Sequence, residues 1–107
     1  MAYRFAAEQS NILAAVAPLA ASIGGSPAPG VAEWHIPVPK NPVPLLTMHG
    51  REDEDIPFNG GVSPRRSGNR SYWSVPDSVG FWVKYNRCEE PPLRITPLNG
   101  QVQITSW

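Results

Sequence analysis

The run Val43-Pro44-Leu45-Leu46-Thr47-Met48, ended by His49-Gly50 and the acidic turn Arg51-Glu52-Asp53-Glu54-Asp55, is short, largely apolar and bounded by turn formers. That pattern predicts a buried strand of a parallel sheet, covered on both faces. Upstream, Ile12 to Ala17 is a second short apolar run, ended by Pro18, and its small side chains predict helices packed close above and below it. Residues 1 to 9 place Met1, Phe5 and Glu8/Gln9 at helical spacing with alanines between, predicting the tail of a tightly packed helix. Between the two runs, residues 22 to 42 are rich in glycine and proline and are expected to be a long loop excursion outside the core.

Downstream, Ser74-Val75-Pro76-Asp77 supplies a capping serine, an early proline and an acid three residues on, so a helix is expected over 75–87. Val79, Trp82, Val83 and Asn86 then form one apolar stripe against a face carrying Lys84 and Arg87, with Trp82 assigned to the core. Glu89 to Pro97 reads as a proline-interrupted connection and Asn99-Gly100 as a turn. The alternation from Gln101 to Trp107 predicts a terminal strand whose partner cannot be named from sequence. Strand, helix and strand in this order imply an α/β fold with a partial parallel sheet, in one domain over 1–107.

With 107 residues, and 9 lysines and arginines balancing 9 aspartates and glutamates, the chain has no overall field for phosphate backbones or anionic lipid. Neither nucleic acid nor a membrane is expected as a partner. Arg65, Arg66 and Arg70 form a small basic cluster that reads as a solvated loop. No apolar stretch is long enough to span a bilayer, and no signal peptide is legible after Met1. Cys88 is a single cysteine without metal-binding spacing to His35 or His49, and the acidic turn lacks the glycine and glutamate of a calcium loop. No metal or cofactor is expected.

The segment His49-Gly50-Arg51-Glu52-Asp53-Glu54-Asp55-Ile56-Pro57-Phe58-Asn59-Gly60-Gly61 resembles the acid loop of esterases related to polyhydroxybutyrate depolymerases and feruloyl esterases. Their pattern is His-Gly-x-x-Asp-x-x-Val-Pro-Tyr-x-Gly-Gly; Ile56 stands for the valine and Phe58 for the tyrosine. Met1-Ala2-Tyr3-Arg4-Phe5-Ala6 and Ala14 to Ala20 resemble the helix after the nucleophile and the next strand. Trp82 through Asn86-Arg87-Cys88 resembles the helix ending in Asn-x-Cys, whose cysteine is commonly half of a disulfide in that family. The resemblance implies a partial α/β-hydrolase fold, the C-terminal part of the parallel sheet with flanking helices. It implies a secreted carbohydrate-esterase-like hydrolase acting on small-molecule or polymeric esters: feruloyl, short acyl or polyhydroxyalkanoate-type.

In a serine esterase a histidine takes the proton of the serine, and a carboxylate holds that histidine in the right tautomer. The order along α/β-hydrolase chains is serine, acid, histidine. Asp53, just past a predicted strand, is the candidate acid, with Asp55 the alternative and a solvated acidic turn the plain reading. No Gly-x-Ser-x-Gly elbow is present, and both His35 and His49 precede Asp53. The nucleophile and base would therefore lie outside this chain, which reads as a fragment, inactive by itself. His49, at a strand end, is expected to be structural, and His35, beside Trp34 in a proline-rich loop, to lie at the surface. The other reading is a degenerate, non-catalytic segment acting as an interaction module through Trp34, Trp73 and Trp107. Oligomeric state is left open.

Overall fold

The computed structural model describes residues 1–89, 91–96 and 100–107. Helix α1 (Ala2–Glu8) opens the chain. Strands β1 (Gly24–Ser26), β2 (Trp34–His35), β3 (Gly61–Val62) and β4 (Ser71–Tyr72) form one antiparallel sheet in the order β2-β1-β4-β3. Helix α2 (Val75–Tyr85) follows, and β5 (Leu93–Ile95) and β6 (Ile104–Ser106) form a separate antiparallel pair. The turn expected at Asn99-Gly100 and the end of the connection at Pro97 fall, at Asn99 and Pro97, outside the described residues.

This architecture overturns the α/β expectation, the parallel α/β-hydrolase sheet included. Among the described residues the regular sheets are antiparallel, and parallel pairing is confined to two isolated bridges, Val16 with Leu45 and Leu19 with Met48. The two apolar runs do lie side by side: Val16 N–H donates to Pro44 O (2.9 Å), Leu46 N–H to Val16 O (3.0 Å), Met48 N–H to Pro18 O (3.1 Å) and Ala20 N–H to Met48 O (2.9 Å). Pro18 stands in the middle of this series and has no N–H to give, so the ladder loses a rung where a strand would need one. Two runs with the composition of buried strands thus become an interrupted pair, with Ile12, Leu19, Leu46 and Met48 left exposed.

The expected loop excursion is also corrected in part. β1 lies inside the sheet between β2 and β4, all three of its residues are buried, and Ile23 and Ile36 beside it belong to the core. Gly25 explains why glycine occupies an inner strand: a β-carbon there would lie far inside van der Waals contact with the Ser71 carbonyl oxygen. Glycine in a strand is read from sequence as punctuation, yet here it permits two backbones to approach.

The core gathers Tyr3, Ala6, Ala7, Ile23, Ile36, Val43 and Trp82. Helix α1 presents Tyr3, Ala6 and Ala7, at i, i+3 and i+4, and leaves Met1 and Phe5 in solvent. The alanines win because they let the helix approach closely, whereas Arg4 and Glu8 pair at 2.7 Å on the exposed side. Helix α2 starts where its cap predicts: the Ser74 hydroxyl accepts from Asp77 N–H at 3.0 Å, and Pro76 needs no partner in the first turn. Its fully buried positions are Val75, Ser78 and Trp82, with Val79 and Val83 only half-buried. Ser78 passes unnoticed in a hydrophobicity pattern, but its hydroxyl donates to Ser74 O at 2.8 Å and so satisfies itself inside the helix.

Asn86, at the end of α2, ties the helix to the run that leads into the acidic turn. Its Oδ1 accepts from Val43 N–H at 2.9 Å and its Nδ2 donates to Val43 O at 2.8 Å, the two bonds a neighbouring strand would make. Val43 itself is fully buried. Asn86→Ala removes both bonds and strands two backbone groups at low solvent access, so a loss of roughly 2–3 kcal/mol is expected from chemical denaturation. Asn86→Asp keeps the acceptor for Val43 N–H but sets a carboxylate oxygen against the Val43 carbonyl, so it should lose at least as much as the alanine variant; a clearly smaller loss would show that the bond to Val43 N–H carries most of the effect.

Candidate functional site

The residues from His49 to Gly61 leave the end of the 43–48 run and return to the antiparallel sheet at Gly61 of β3. The loop is built on its own backbone and side chains. Asp53 N–H reaches Gly50 O at 3.4 Å, Gly60 N–H donates to Pro57 O at 2.8 Å, and Val75 N–H at the start of α2 donates to Phe58 O at 2.9 Å. Gly60 has φ +74°, and a β-carbon there would come within 2.8 Å of Ser74 N, so this corner is open only to glycine.

Asp53 is the organising side chain. Its Oδ1 accepts from Asp55 N–H and from Ile56 N–H, both at 2.9 Å, folding the acidic turn back on its own carboxylate. Its Oδ2 lies 3.6 Å from His49 Nε2, and the side chain is 17% exposed. The Ile56 hydrogen bond is the chief cause holding the Asp53 carboxyl below the usual aspartate range; partial burial opposes it, and the Asp55 amide with the nearby His49 and Arg66 adds to the lowering.

A carboxyl whose folded value is depressed contributes stability that is complete above its unfolded value, near about 4, and is lost as the pH falls through the lower folded value. Asp53→Asn keeps an oxygen for the two amides but carries no charge. Thermal melts of the two proteins are therefore expected to differ by a constant amount between pH 7 and pH 5 and to converge as the pH falls from about 4 to 2. A gap that persists unchanged at pH 2 would contradict this.

His49 is almost completely buried, with 2% of its side chain exposed. Its Nε2 faces the Ile56 carbonyl at 2.8 Å and its ring meets Phe58 edge-on, centroids 6.2 Å apart at 73°. A carbonyl can only accept, so the proton sits on Nε2. That nitrogen is committed to the loop backbone and is not free to act as a base. The Arg51 guanidinium lies 5.2 Å over the Phe58 ring, and its head also bonds the Gln103 side chain, connecting the loop to the chain just before β6.

The other acids of the turn point elsewhere. Glu54 pairs with Arg65 at 2.9 Å and Asp55 with Arg66 at 3.2 Å, so the alternative acid Asp55 is engaged in an ion pair. The buried Ser63 hydroxyl accepts from Arg66 N–H at 3.0 Å and donates to Glu54 O at 3.2 Å, tying the two loops at a second point. These exposed ion pairs contribute little stability, about 0–1 kcal/mol each. They occupy Glu54 and Asp55, whereas Asp53 makes its hydrogen bonds through Oδ1. The basic cluster was not readable as the partner of the acidic turn because 10 or more residues and a chain reversal separate them.

The remaining candidates disperse. His35 lies in β2, its Nδ1 2.8 Å from Ile36 O and its ring tilted on Trp73 at 6.1 Å. Trp73 donates from Nε1 to Glu33 at 3.4 Å, Trp34 and Trp107 are exposed, and Trp82 is buried in the core. Trp73 is half-buried and packs against the core, so of the three tryptophans of the interaction-module reading Trp34 and Trp107 are the exposed ones. An open groove of about 650 Å³ runs between α2 and the β3–β4 edge, lined by Tyr72, Trp73, Phe81, Lys84 and Tyr85, and includes neither His49 nor Asp53. Cys88 is unpaired and half-buried. Among the described residues no group of three or more histidine, cysteine or acidic side chains is placed to hold a metal, and no helix is long and apolar enough to cross a membrane.

No family model matches the chain, and no solved structure matches it. Feruloyl esterase B of Piromyces equi is 28% identical to it over 91 residues, which cover 84% of this chain and 16% of that protein. The chain is thus similar, over most of its own length, to a small part of an esterase.

Proposed function

We propose that this chain is the acid-bearing part of a serine esterase, with Asp53 as the carboxylate that orients the catalytic histidine. The observation that carries the reading is the division of labour within one carboxylate. Oδ1 accepts from two backbone amides, while Oδ2, in a side chain 17% exposed, makes no hydrogen bond among the described residues and has His49 Nε2 at 3.6 Å. A carboxylate fixed on one oxygen and open on the other is what an imidazole N–H needs in order to be held in one tautomer. Similarity to a feruloyl esterase supports carboxylic esters as the substrate class, with feruloyl esters first and short acyl or polyhydroxyalkanoate-type esters next. Resemblance alone supports a secreted enzyme.

In this reading the serine, the imidazole and the donors for the tetrahedral oxyanion come from polypeptide outside these 107 residues, whose own histidines are unsuited. His49 is committed to Ile56, and His35 lies in β2 against Trp73. The histidine would take the serine proton as the serine oxygen attacks the ester carbonyl, then return it to the leaving alcohol; Asp53 would hold the imidazolium between the two steps. The test is hydrolysis of p-nitrophenyl acetate and methyl ferulate, by the 107-residue chain and by the full translation product that contains it. The chain alone is expected to show no burst and no turnover, and the full product to hydrolyse at least one ester and be inactivated by a serine-directed fluorophosphonate. A full product inert toward both esters and the phosphonate overturns the proposal.

A further inference from the structure

We infer that His49 is a positioning residue for Asp53: its Nε2–H, donated to the Ile56 carbonyl, locks the turn that keeps Asp53 Oδ1 on its two amides and Oδ2 open. The inference deepens the reading of Asp53 as a triad acid and rests on it for its functional meaning. Three observations combine. First, the His49 to Ile56 bond of 2.8 Å closes the whole acidic turn across seven residues, and Ile56 is the same residue whose N–H bonds Asp53 Oδ1 at 2.9 Å. His49, Ile56 and Asp53 therefore form one chain of hydrogen bonds, and loosening the first link frees the second.

Second, the ring is fixed. It is 2% exposed and packed edge-on against Phe58, so it cannot turn without opening the loop. Third, its Nδ1 is buried without a hydrogen-bond partner among the described residues. A side chain present for bulk would leave no buried nitrogen unpaired, and one present for general polar satisfaction would bond at both nitrogens. The ring is oriented for the single bond to Ile56. At 3.6 Å from Oδ2, Nε2 is too far to hydrogen-bond that oxygen, and its N–H is given to the Ile56 carbonyl.

The experiment uses the 107-residue chain. A long-range 1H–15N correlation at pH 7 should place the His49 proton on Nε2. The Asp53 carboxyl is then followed by 13C resonance through acid titration in the parent, in His49→Phe and in His49→Gln. Phenylalanine keeps the bulk and the contact with Phe58 but has no donor, so Asp53 should titrate at higher pH and the Ile56 amide should exchange faster. Glutamine offers an amide N–H at similar reach and should restore both toward the parent. A proton on Nδ1 in the parent overturns the inference, as does identical Asp53 titration in all three proteins. If the phenylalanine variant does not fold, the parent spectrum and the glutamine variant decide: an Ile56 amide that exchanges faster in His49→Gln while Asp53 titrates as in the parent overturns the inference. None of these readouts depends on esterase activity. An inert full-length product would sink the triad reading and leave the positioning result standing, and an Asp53 that ignores His49 would do the reverse.

Discussion

On the proposed triad reading, asparagine at position 53 is expected to lower the kcat of ester hydrolysis roughly 10⁴-fold, with the protein still folded. Two amides, Asp55 N–H and Ile56 N–H, require an acceptor at the Oδ1 position. The asparagine oxygen must take that place, because turning the amide would set its NH2 against two N–H groups. The NH2 is thereby forced to the Oδ2 position, where it presents donors to an imidazole that also needs to donate. The histidine is then favoured in the tautomer that cannot accept the serine proton. Loss therefore falls on kcat rather than on substrate binding, and retention of activity within about tenfold of the parent would remove Asp53 from the proposed triad. Asp55→Asn, which breaks only the exposed pair with Arg66, is expected to leave activity unchanged.

The largest effect on stability is expected from Trp82→Ala. Trp82 is 1% exposed, stacks on Tyr3 with centroids 6.1 Å apart and meets Phe81 edge-on at 5.7 Å, so it joins α2 to α1 through the centre of the core. Truncating a buried tryptophan costs about 3–5 kcal/mol, against total stabilities of about 5–15 kcal/mol for domains. At roughly 4 °C or more per kcal/mol in a domain of this size, the melting midpoint should fall by at least about 10 °C, or the cooperative transition should vanish. Trp82→Phe is the informative companion. The indole N–H is buried without a partner among the described residues, so phenylalanine removes an unpaired donor while leaving a small void. These oppose each other, and a net change within about 1.5 kcal/mol is expected from thermal or urea unfolding.

Both predictions depend on features that differ in how far sequence alone reveals them. Asp53, Asp55 and Ile56 lie within four positions, and an aspartate bonding amides two and three residues on is a local geometry that the acidic turn already suggests. The closure by His49 is longer in range, and the pairing of Glu54 and Asp55 with Arg65 and Arg66 needs the intervening chain to reverse. The resemblance pointed to Asp53 but carried with it a parallel sheet that the chain does not form.

Sequence by itself determined helix α2, because Ser74, Pro76 and Asp77 state its beginning within four residues and the capping bond forms between neighbours. It also marked Trp82 as a core residue and the His49–Gly61 stretch as a folded turn. Tertiary structure alone decided the sheet. Gly24 and Gly25 have no side chains to signal burial, and they enter an inner strand because β2 at Gly24 and β4 at Gly25 come close enough to exclude a β-carbon. It decided which face of α1 is buried, since close approach rewards Ala6 and Ala7 over Phe5. It also decided the fate of the two apolar runs. Their composition suits a covered parallel strand, but the missing N–H of Pro18 and the absence of a covering layer among the described residues leave four hydrogen bonds and an exposed face. Local bonds are written in adjacent letters, whereas pairing between distant segments depends on which backbones can approach, and that is a property of the assembled chain.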